Sequence, residues 1–82
     1  MSRLINKPVI VRCSPDGKPQ GFFWRKQWFP VQNILECWKE TGCWWKGEKE
    51  KYFYRLLAGN NGLYEIYREE NNQKWFLYRI YD

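Results

Sequence analysis

Hydrophobic and polar side chains alternate along three segments in the second half of the chain, at residues 52–58, 63–69 and 75–81. Side chains of a β-strand point in turn to the two faces of its sheet, so this alternation predicts three strands. The separating residues 59–62 and 70–74 are rich in Gly, Asn and other residues typical of tight reversals. The second half of the chain is therefore predicted to form an antiparallel meander.

One face of the predicted meander is nearly apolar. If the hairpins pair Leu56 with Ile66 and Ile66 with Tyr78, apolar side chains of all three strands meet on this face. We expect this face to contact the core. Its residues are Tyr54, Leu56, Ala58, Tyr64, Ile66, Arg68, Phe76, Tyr78 and Ile80.

The opposite face of the meander mixes charged and aromatic residues. Glu65 is expected on the central strand between Arg55 and Arg79, where opposite charges on neighbouring strands contribute about 0.2–1 kcal/mol each. The aromatic hairpin of residues 22–29 is expected to fold over this mixed face and to close a small barrel. The mixed face comprises Phe53, Arg55, Leu57, Leu63, Glu65, Tyr67, Glu69, Trp75, Leu77, Arg79 and Tyr81.

The first half of the chain contains further strand signals. Residues 8–13 form a run rich in β-branched side chains, and turn residues follow at 14–19, which predicts a strand and a loop. Residues 20–25 resume with aromatic side chains. The basic pair 25–26 then interrupts the aromatic run before residues 28–29, which predicts a second strand that folds tightly back into a short third strand.

The next segment has a helical spacing of apolar residues. Four of them fall at positions i, i+3, i+4 and i+7, with polar residues between them, which predicts an amphipathic helix of about eleven residues. Pro30 suits its first turn and Gly42 suits its end. Its apolar stripe is expected to pack on the apolar face of the meander. The stripe consists of Val31, Ile34, Leu35 and Trp38.

These elements predict a single domain over residues 1–82, in the α+β class and mainly antiparallel β. The expected architecture is a strongly curved sheet or a small open barrel of five to six strands, with one short helix packed on it. An exposed edge of the first or the last strand makes a weak homodimer an alternative to a monomer.

The composition suggests binding. Six Trp, six Tyr and five Phe are more aromatic residues than a core of 82 residues needs, so some of them are expected on the surface. Fourteen Lys and Arg against nine Asp and Glu give a formal net charge of +5. This bias favours polyanionic partners, although a basic surface that only maintains solubility explains it equally well.

The residue content argues against several other functions. The chain has no His and three Cys without a Cys-x-x-Cys motif, so neither a zinc site nor a disulfide framework is expected. Without His, the acids are scattered singly or lie in a charged loop, and we expect no enzymatic activity and no cofactor. The sequence begins without an apolar leader and has no apolar run of ~20 residues, so a soluble cytoplasmic protein without a membrane partner is expected.

Aromatic and cationic residues could together form a stacking platform for single-stranded nucleic acid, on which each stacked base contributes about 1–3 kcal/mol. The consecutive Trp44 and Trp45 point opposite ways in an extended segment, so one of them is expected to be exposed. Two alternatives remain open. In the first, the rings belong to the core, with the aliphatic parts of Arg side chains lying over them. In the second, the domain binds a protein and makes no nucleic-acid contact. The candidate binding residues are Arg25, Lys26, Trp45, Lys46, Arg55, Tyr67, Trp75 and Arg79.

Four motifs resemble those of a small bacterial family of unknown function. They are F-x-W-R at residues 22–25, W-W-x-G-E at 44–48, a variant of Y-E-L-Y-R at 64–68 and a variant of Y-R-V-Y-D at 78–82. The resemblance covers most of the chain from Phe22 onward. It implies an association with proteins of translesion DNA synthesis, including relatives of Y-family polymerases, and thus a DNA-repair partner. It implies no catalytic residue, and the chain has Lys26 where the family commonly has Gly.

Overall fold

A computed structural model describes residues 2–40, 50–70 and 74–81 of the chain. Its strands run antiparallel to their neighbours in the order β1 to β6, and β6 pairs with β1 to close a barrel. The prediction of mainly antiparallel β structure is confirmed, and the barrel is closed rather than open. The strands are β1 (Ser2–Cys13), β2 (Pro19–Trp24), β3 (Gln27–Glu40), β4 (Lys51–Ala58), β5 (Leu63–Glu69) and β6 (Trp75–Tyr81).

The predicted helix is wrong, because residues 30–40 belong to β3, and the described part of the chain contains no helix. Two irregularities interrupt the pairing of β3 with β4, and each places one extra residue on β3. An extra residue lengthens the repeat of the inward side chains from two to three. Val31, Ile34 and Cys37 consequently pair with Ala58, Leu56 and Tyr54. This bulged strand imitates the spacing of a helical stripe.

The strands predicted for the meander are present, but one pairing differs by two residues. Leu56 pairs with Tyr64, and Ile66 pairs with Tyr54. A shift of two residues keeps each side chain on its predicted face. Leu56 and Ile66 are accordingly fully buried in the core.

The face predicted for most of β6 is wrong. Glu65 pairs with Arg79, but the next residue, Ile66, pairs with Leu77, so Tyr78 is an extra residue on β6. A one-residue irregularity exchanges the faces on one side of it. Trp75 and Leu77 therefore face the core, whereas Phe76 and Tyr78 lie among the aromatic side chains of the opposite face.

The N-terminal hairpin covers the apolar face of the meander, not the mixed face as predicted. The ring of Phe22 is fully buried, and its centroid lies 5.2 Å from those of both Phe29 and Tyr64. Apart from Trp75 and Leu77, the mixed face consequently forms the outside of the barrel. The buried core consists of Phe22, Leu56, Ala58, Tyr64, Ile66, Trp75 and Leu77.

The edges that were expected to permit dimerisation are paired with each other. Residues of β1 between Ser2 and Val9 pair with β6, from Tyr81 back to Trp75. Barrel closure of this kind removes the open edges of a sheet.

The tight reversal between β2 and β3 is confirmed, although the third strand is long rather than short. Its two central residues, Arg25 and Lys26, have φ angles of 52° and 61°. Two consecutive left-handed residues are typical of a two-residue hairpin turn, and residues other than Gly adopt this conformation at a cost of roughly 1–2 kcal/mol each. The turn therefore carries backbone strain at both Arg25 and Lys26.

Replacing Lys26 with Gly is expected to raise the free energy of unfolding by about 0.5–1 kcal/mol, because relief of the left-handed strain exceeds the added entropy of the unfolded chain. Urea unfolding followed by tryptophan fluorescence measures the change. Lys26→Ala is the matched control, since it removes the same charge but keeps a Cβ. Equal stabilisation by both variants would assign the effect to charge and contradict the conformational explanation.

Candidate nucleic-acid interface

Two of the predicted binding residues lie outside the described residues, and two more are buried. Trp45 and Lys46 belong to the first group. Trp75 is 8% exposed inside the barrel, and Tyr67 is 6% exposed on its outer side. Neither buried ring presents a free face for stacking, so the prediction of Trp75 and Tyr67 as surface residues is wrong.

Tyr67 is buried because it belongs to an aromatic cluster on the outside of β3 to β6. Its ring centroid lies 5.0 Å from that of Phe53 and 5.1 Å from that of Phe76. Its hydroxyl donates a hydrogen bond of 2.8 Å to Oδ1 of Asn6, and burial raises the pKa of Tyr67. The outer cluster comprises Trp38, Phe53, Tyr67, Phe76 and Tyr78.

Arg55 is engaged by the chain's own acids. Its Nε and one terminal nitrogen donate hydrogen bonds of 3.1 and 3.0 Å to Oε2 of Glu65, and the other terminal nitrogen lies 2.6 Å from Oε1 of Glu36. The hydroxyl of Tyr81 donates to the same Glu65 oxygen at 2.6 Å. The hydrogen bond with Glu65 raises the pKa of Arg55. The guanidinium is therefore committed to the fold rather than to a ligand.

The charge pairing predicted from the sequence is confirmed, since Glu65 is the cross-strand partner of both Arg55 and Arg79. Arg79 differs from Arg55 in its contacts. Its guanidinium carbon lies 5.5 Å from the ring centroid of Tyr78, and its Nε is buried without a hydrogen-bond partner. The guanidinium carbon of Arg55 lies 5.7 Å from the ring centroid of Trp38, so both arginines cover the outer aromatic cluster.

Replacing Glu65 with Ala is expected to lower the free energy of unfolding by about 2 kcal/mol, because it leaves Arg55 and the Tyr81 hydroxyl without their shared acceptor. Chemical unfolding measures this loss. Glu36→Ala removes the other carboxylate from the same guanidinium, and its side chain is 58% exposed. That control should change stability by less than about 0.5 kcal/mol. Equal losses in the two variants would contradict a structural role specific to the buried acid.

Arg25 and Lys26 are the predicted cations that lie exposed at the β2–β3 turn. Beside them, alternation in β2 sends Phe22 into the barrel and Phe23 to the outside. Phe23 pairs across the hairpin with Trp28, and these side chains are 41% and 44% exposed. The turn therefore connects two open aromatic rings with two cations.

The exposed aromatic pair continues onto β1. Ile10, which is 72% exposed, is the partner of Phe23 on the other side. Arg12 is the partner of Gly21, and a Cβ added at Gly21 would collide with the indole of Trp28. The absence of that side chain allows the Trp28 ring to pack against β2 at Gly21. We define the hairpin face as Ile10, Arg12, Phe23, Arg25, Lys26 and Trp28.

The hairpin face lies in the part of the chain that carries the whole net charge. Residues 1–30 contain six Lys and Arg and one Asp, a net charge of +5, whereas residues 31–82 contain eight basic and eight acidic residues. Within the described ranges, Lys39 forms a salt bridge with Glu50, and Arg55 forms salt bridges with Glu36 and Glu65. Arg12, Arg25 and Lys26 form none there, so these three cations are available to an external anion.

Sequence reasoning missed Ile10, Arg12, Phe23 and Trp28 as members of a site. The net positive charge of residues 1–30, compared with the balanced charge of residues 31–82, indicates a basic surface in the first part of the chain. Alternation within the run Phe22 to Trp24 was a second signal, since it requires Phe23 to face away from its neighbours.

No three His, Cys, Asp or Glu side chains of the described residues are placed to hold a metal ion together. None of these residues forms a helix with the length and apolarity needed to cross a membrane. Burial raises the pKa of Cys13, which is not among the hairpin-face residues. The chemistry that the hairpin face offers is stacking on open rings and attraction of anions.

Comparison with known proteins gives a match to a protein family. The family described as "Domain of unknown function (DUF6504)" matches residues 1–82. Neither a curated protein nor a solved structure matches the chain. The chain belongs to this family of domains of unknown function.

Proposed function

We propose that this domain is a nonenzymatic accessory module that binds single-stranded nucleic acid on the hairpin face. The observation that carries the proposal is the exposed cross-strand pair of Phe23 and Trp28, 41% and 44% exposed, beside cations that have no acidic partner within the described ranges. Bases stack on the two rings, and Arg12, Arg25 and Lys26 contact phosphates. This division of labour is typical of proteins that bind single strands without reading their sequence.

A single strand fits this surface better than a duplex does. Stacking on a side chain requires a free base face, which paired and stacked bases do not present. Phe23 and Trp28 belong to neighbouring strands, whose spacing is about 4.7–4.9 Å. The pair therefore offers one continuous platform to one or two unpaired bases.

We extend the proposal on the resemblance of the four motifs to a bacterial family, which implies an association with translesion DNA synthesis. A module that meets single-stranded DNA in the bacterial cytoplasm would act beside DNA-repair proteins, which are the proposed protein partners. The exposed Ile10 supports a second candidate, a protein-interaction surface without nucleic acid, because aliphatic side chains add little to stacking.

Titration of the protein with an unphosphorylated dT8 oligonucleotide, followed by tryptophan fluorescence between about 20 and 200 mM salt, tests the proposal. Each phosphate contact is expected to add about −0.7 to the slope of log K against log salt. A binding site with the cations of the hairpin face should therefore give a slope near −2. Absence of binding at the lowest salt would refute the proposal.

Removing Arg12, Arg25 and Lys26 together by alanine substitution is expected to bring this slope close to zero, because about 0.7 is lost with each phosphate contact. The same salt titration measures it. Lys39→Ala together with Lys51→Ala is a control on the β3–β4 side of the barrel and should leave the slope unchanged. A slope that survives the triple substitution would place the phosphates elsewhere.

A further inference from the structure

A cavity of about 440 Å³ lies between the first half of β1 and the end of β2, and it is lined by Leu4, Ile5, Lys7, Trp24 and Arg25. It arises because β1 pairs with β2 only from Ile10 onward. Nearer its start, β1 pairs with β6 and is bulged between Leu4 and Lys7. The two strands therefore separate at Trp24 and leave a recess beside the turn.

The lining of this cavity combines two cations with an unused hydrogen-bond donor. Lys7 and Arg25 are exposed and have no acidic partner within the described part of the chain. The indole Nε1 of Trp24 is buried and has no acceptor there. A buried donor without a partner is uncommon and costs about 1–3 kcal/mol. An anion in the recess would give that donor an acceptor and both cations a counter-charge.

We infer that this cavity binds a phosphate monoester. A monoester carries a charge of about −1.5 to −2 at pH 7, which matches two cations better than the single charge of a backbone diester. Arg25 places the anion next to the indole, because its guanidinium carbon lies 5.6 Å from the centroid of the Trp24 ring. Leu4, 61% exposed, and Ile5 supply apolar walls that strengthen these interactions.

The inference deepens the proposed function and rests on it. Arg25 belongs both to the cavity and to the turn of the hairpin face, so a strand stacked on Phe23 and Trp28 can place its end in the recess. The site then recognises the terminal phosphate of a single strand. Free nucleotides and inorganic phosphate carry a phosphate of similar charge, but they lack the neighbouring bases of a strand.

The experiment compares dT8 bearing a 5′-phosphate, dT8 bearing a 3′-phosphate and dT8 with neither, at low salt. One phosphorylated form is expected to bind about tenfold more tightly than the unmodified strand, which corresponds to one charge-assisted contact. Lys7→Ala should abolish this gain. Lys18→Ala is the matched control, because Lys18 is exposed before the opposite end of β2, and should preserve the gain.

Equal affinity for all three strands, or a gain that survives Lys7→Ala, would overturn the inference while leaving the proposed function intact. If no strand binds, the proposed function fails, and titration with inorganic phosphate decides the inference separately. The readout is the indole N–H resonance of Trp24, assigned from its loss in Trp24→Phe. A shift of this resonance that Lys7→Ala removes supports the site, and an unchanged resonance refutes it.

Discussion

Replacing Leu77 with Ala is expected to lower the free energy of unfolding by about 3 kcal/mol, within the usual range of 2–5 kcal/mol for a buried leucine. Leu77 is fully buried because the extra residue at Tyr78 turns this part of β6 toward the core. The loss combines the missing transfer energy of the side chain with the cavity that remains. Urea unfolding followed by fluorescence or circular dichroism measures it.

Leu35→Ala is the matched control for this prediction. Leu35 is 46% exposed at the irregular part of β3, and its truncation should change stability by no more than about 0.5 kcal/mol. A small effect at Leu77 with a large one at Phe76 would mean that β6 follows unbroken alternation, and it would contradict the bulge.

Replacing Trp28 with Ala is expected to weaken binding of dT8 about 5- to 150-fold, the range that corresponds to the loss of one stacked base. The indole lies across Gly21 with nearly half of its surface open, so its removal takes away the larger ring of the platform. Fluorescence anisotropy with a labelled oligonucleotide measures the affinity of this variant.

Trp28→Phe is the control for stacking, because it keeps an aromatic face and should retain most of the affinity. Trp28→Leu keeps apolar area without a π-system and should bind as weakly as the alanine variant. Comparable unfolding midpoints of the three variants establish that binding, not folding, has changed. Full affinity in Trp28→Ala would exclude this ring from the site.

Much of the fold could be predicted from local alternation. The three strands of the meander and the charge pairing at Glu65 depend on a two-residue repeat, which the sequence displays directly. The reversal at Arg25 and Lys26 could be predicted from the interruption of an aromatic run. The barrel was expected from the need to cover a second aromatic face, although Phe22 covers the other face.

The helix and the face of β6 could not be predicted, for a common physical reason. A bulge adds one residue to a strand without a recognisable local sequence pattern. It becomes visible only from the pairing with the neighbouring strand, whose residues are distant in sequence. Two bulges between Val31 and Glu36 give β3 the apolar spacing of a helix. One extra residue at Tyr78 reverses the sides of Phe76 and Leu77.

The candidate site was predicted only in part, and the same errors explain the rest. Arg25 and Lys26 lie on the hairpin face because a hairpin turn is exposed whichever way the neighbouring strands pair. Trp75 was placed outside by unbroken alternation in β6, and the bulge places it inside. Tyr67 faces outward as predicted, but neighbouring rings cover it. An outward direction therefore does not ensure exposure when aromatic side chains pack on the outside of a small barrel.

The most direct test of the binding account is an NMR titration of the isotopically labelled protein with dT8 at low salt, in which backbone amide and indole N–H resonances are followed together. The account predicts shifts at Arg12, Phe23, Lys26 and the indole of Trp28, with unchanged amides at Phe53 and Phe76 on the outer cluster. Shifts centred on Phe53 and Phe76, or no shifts at saturating oligonucleotide, would contradict it.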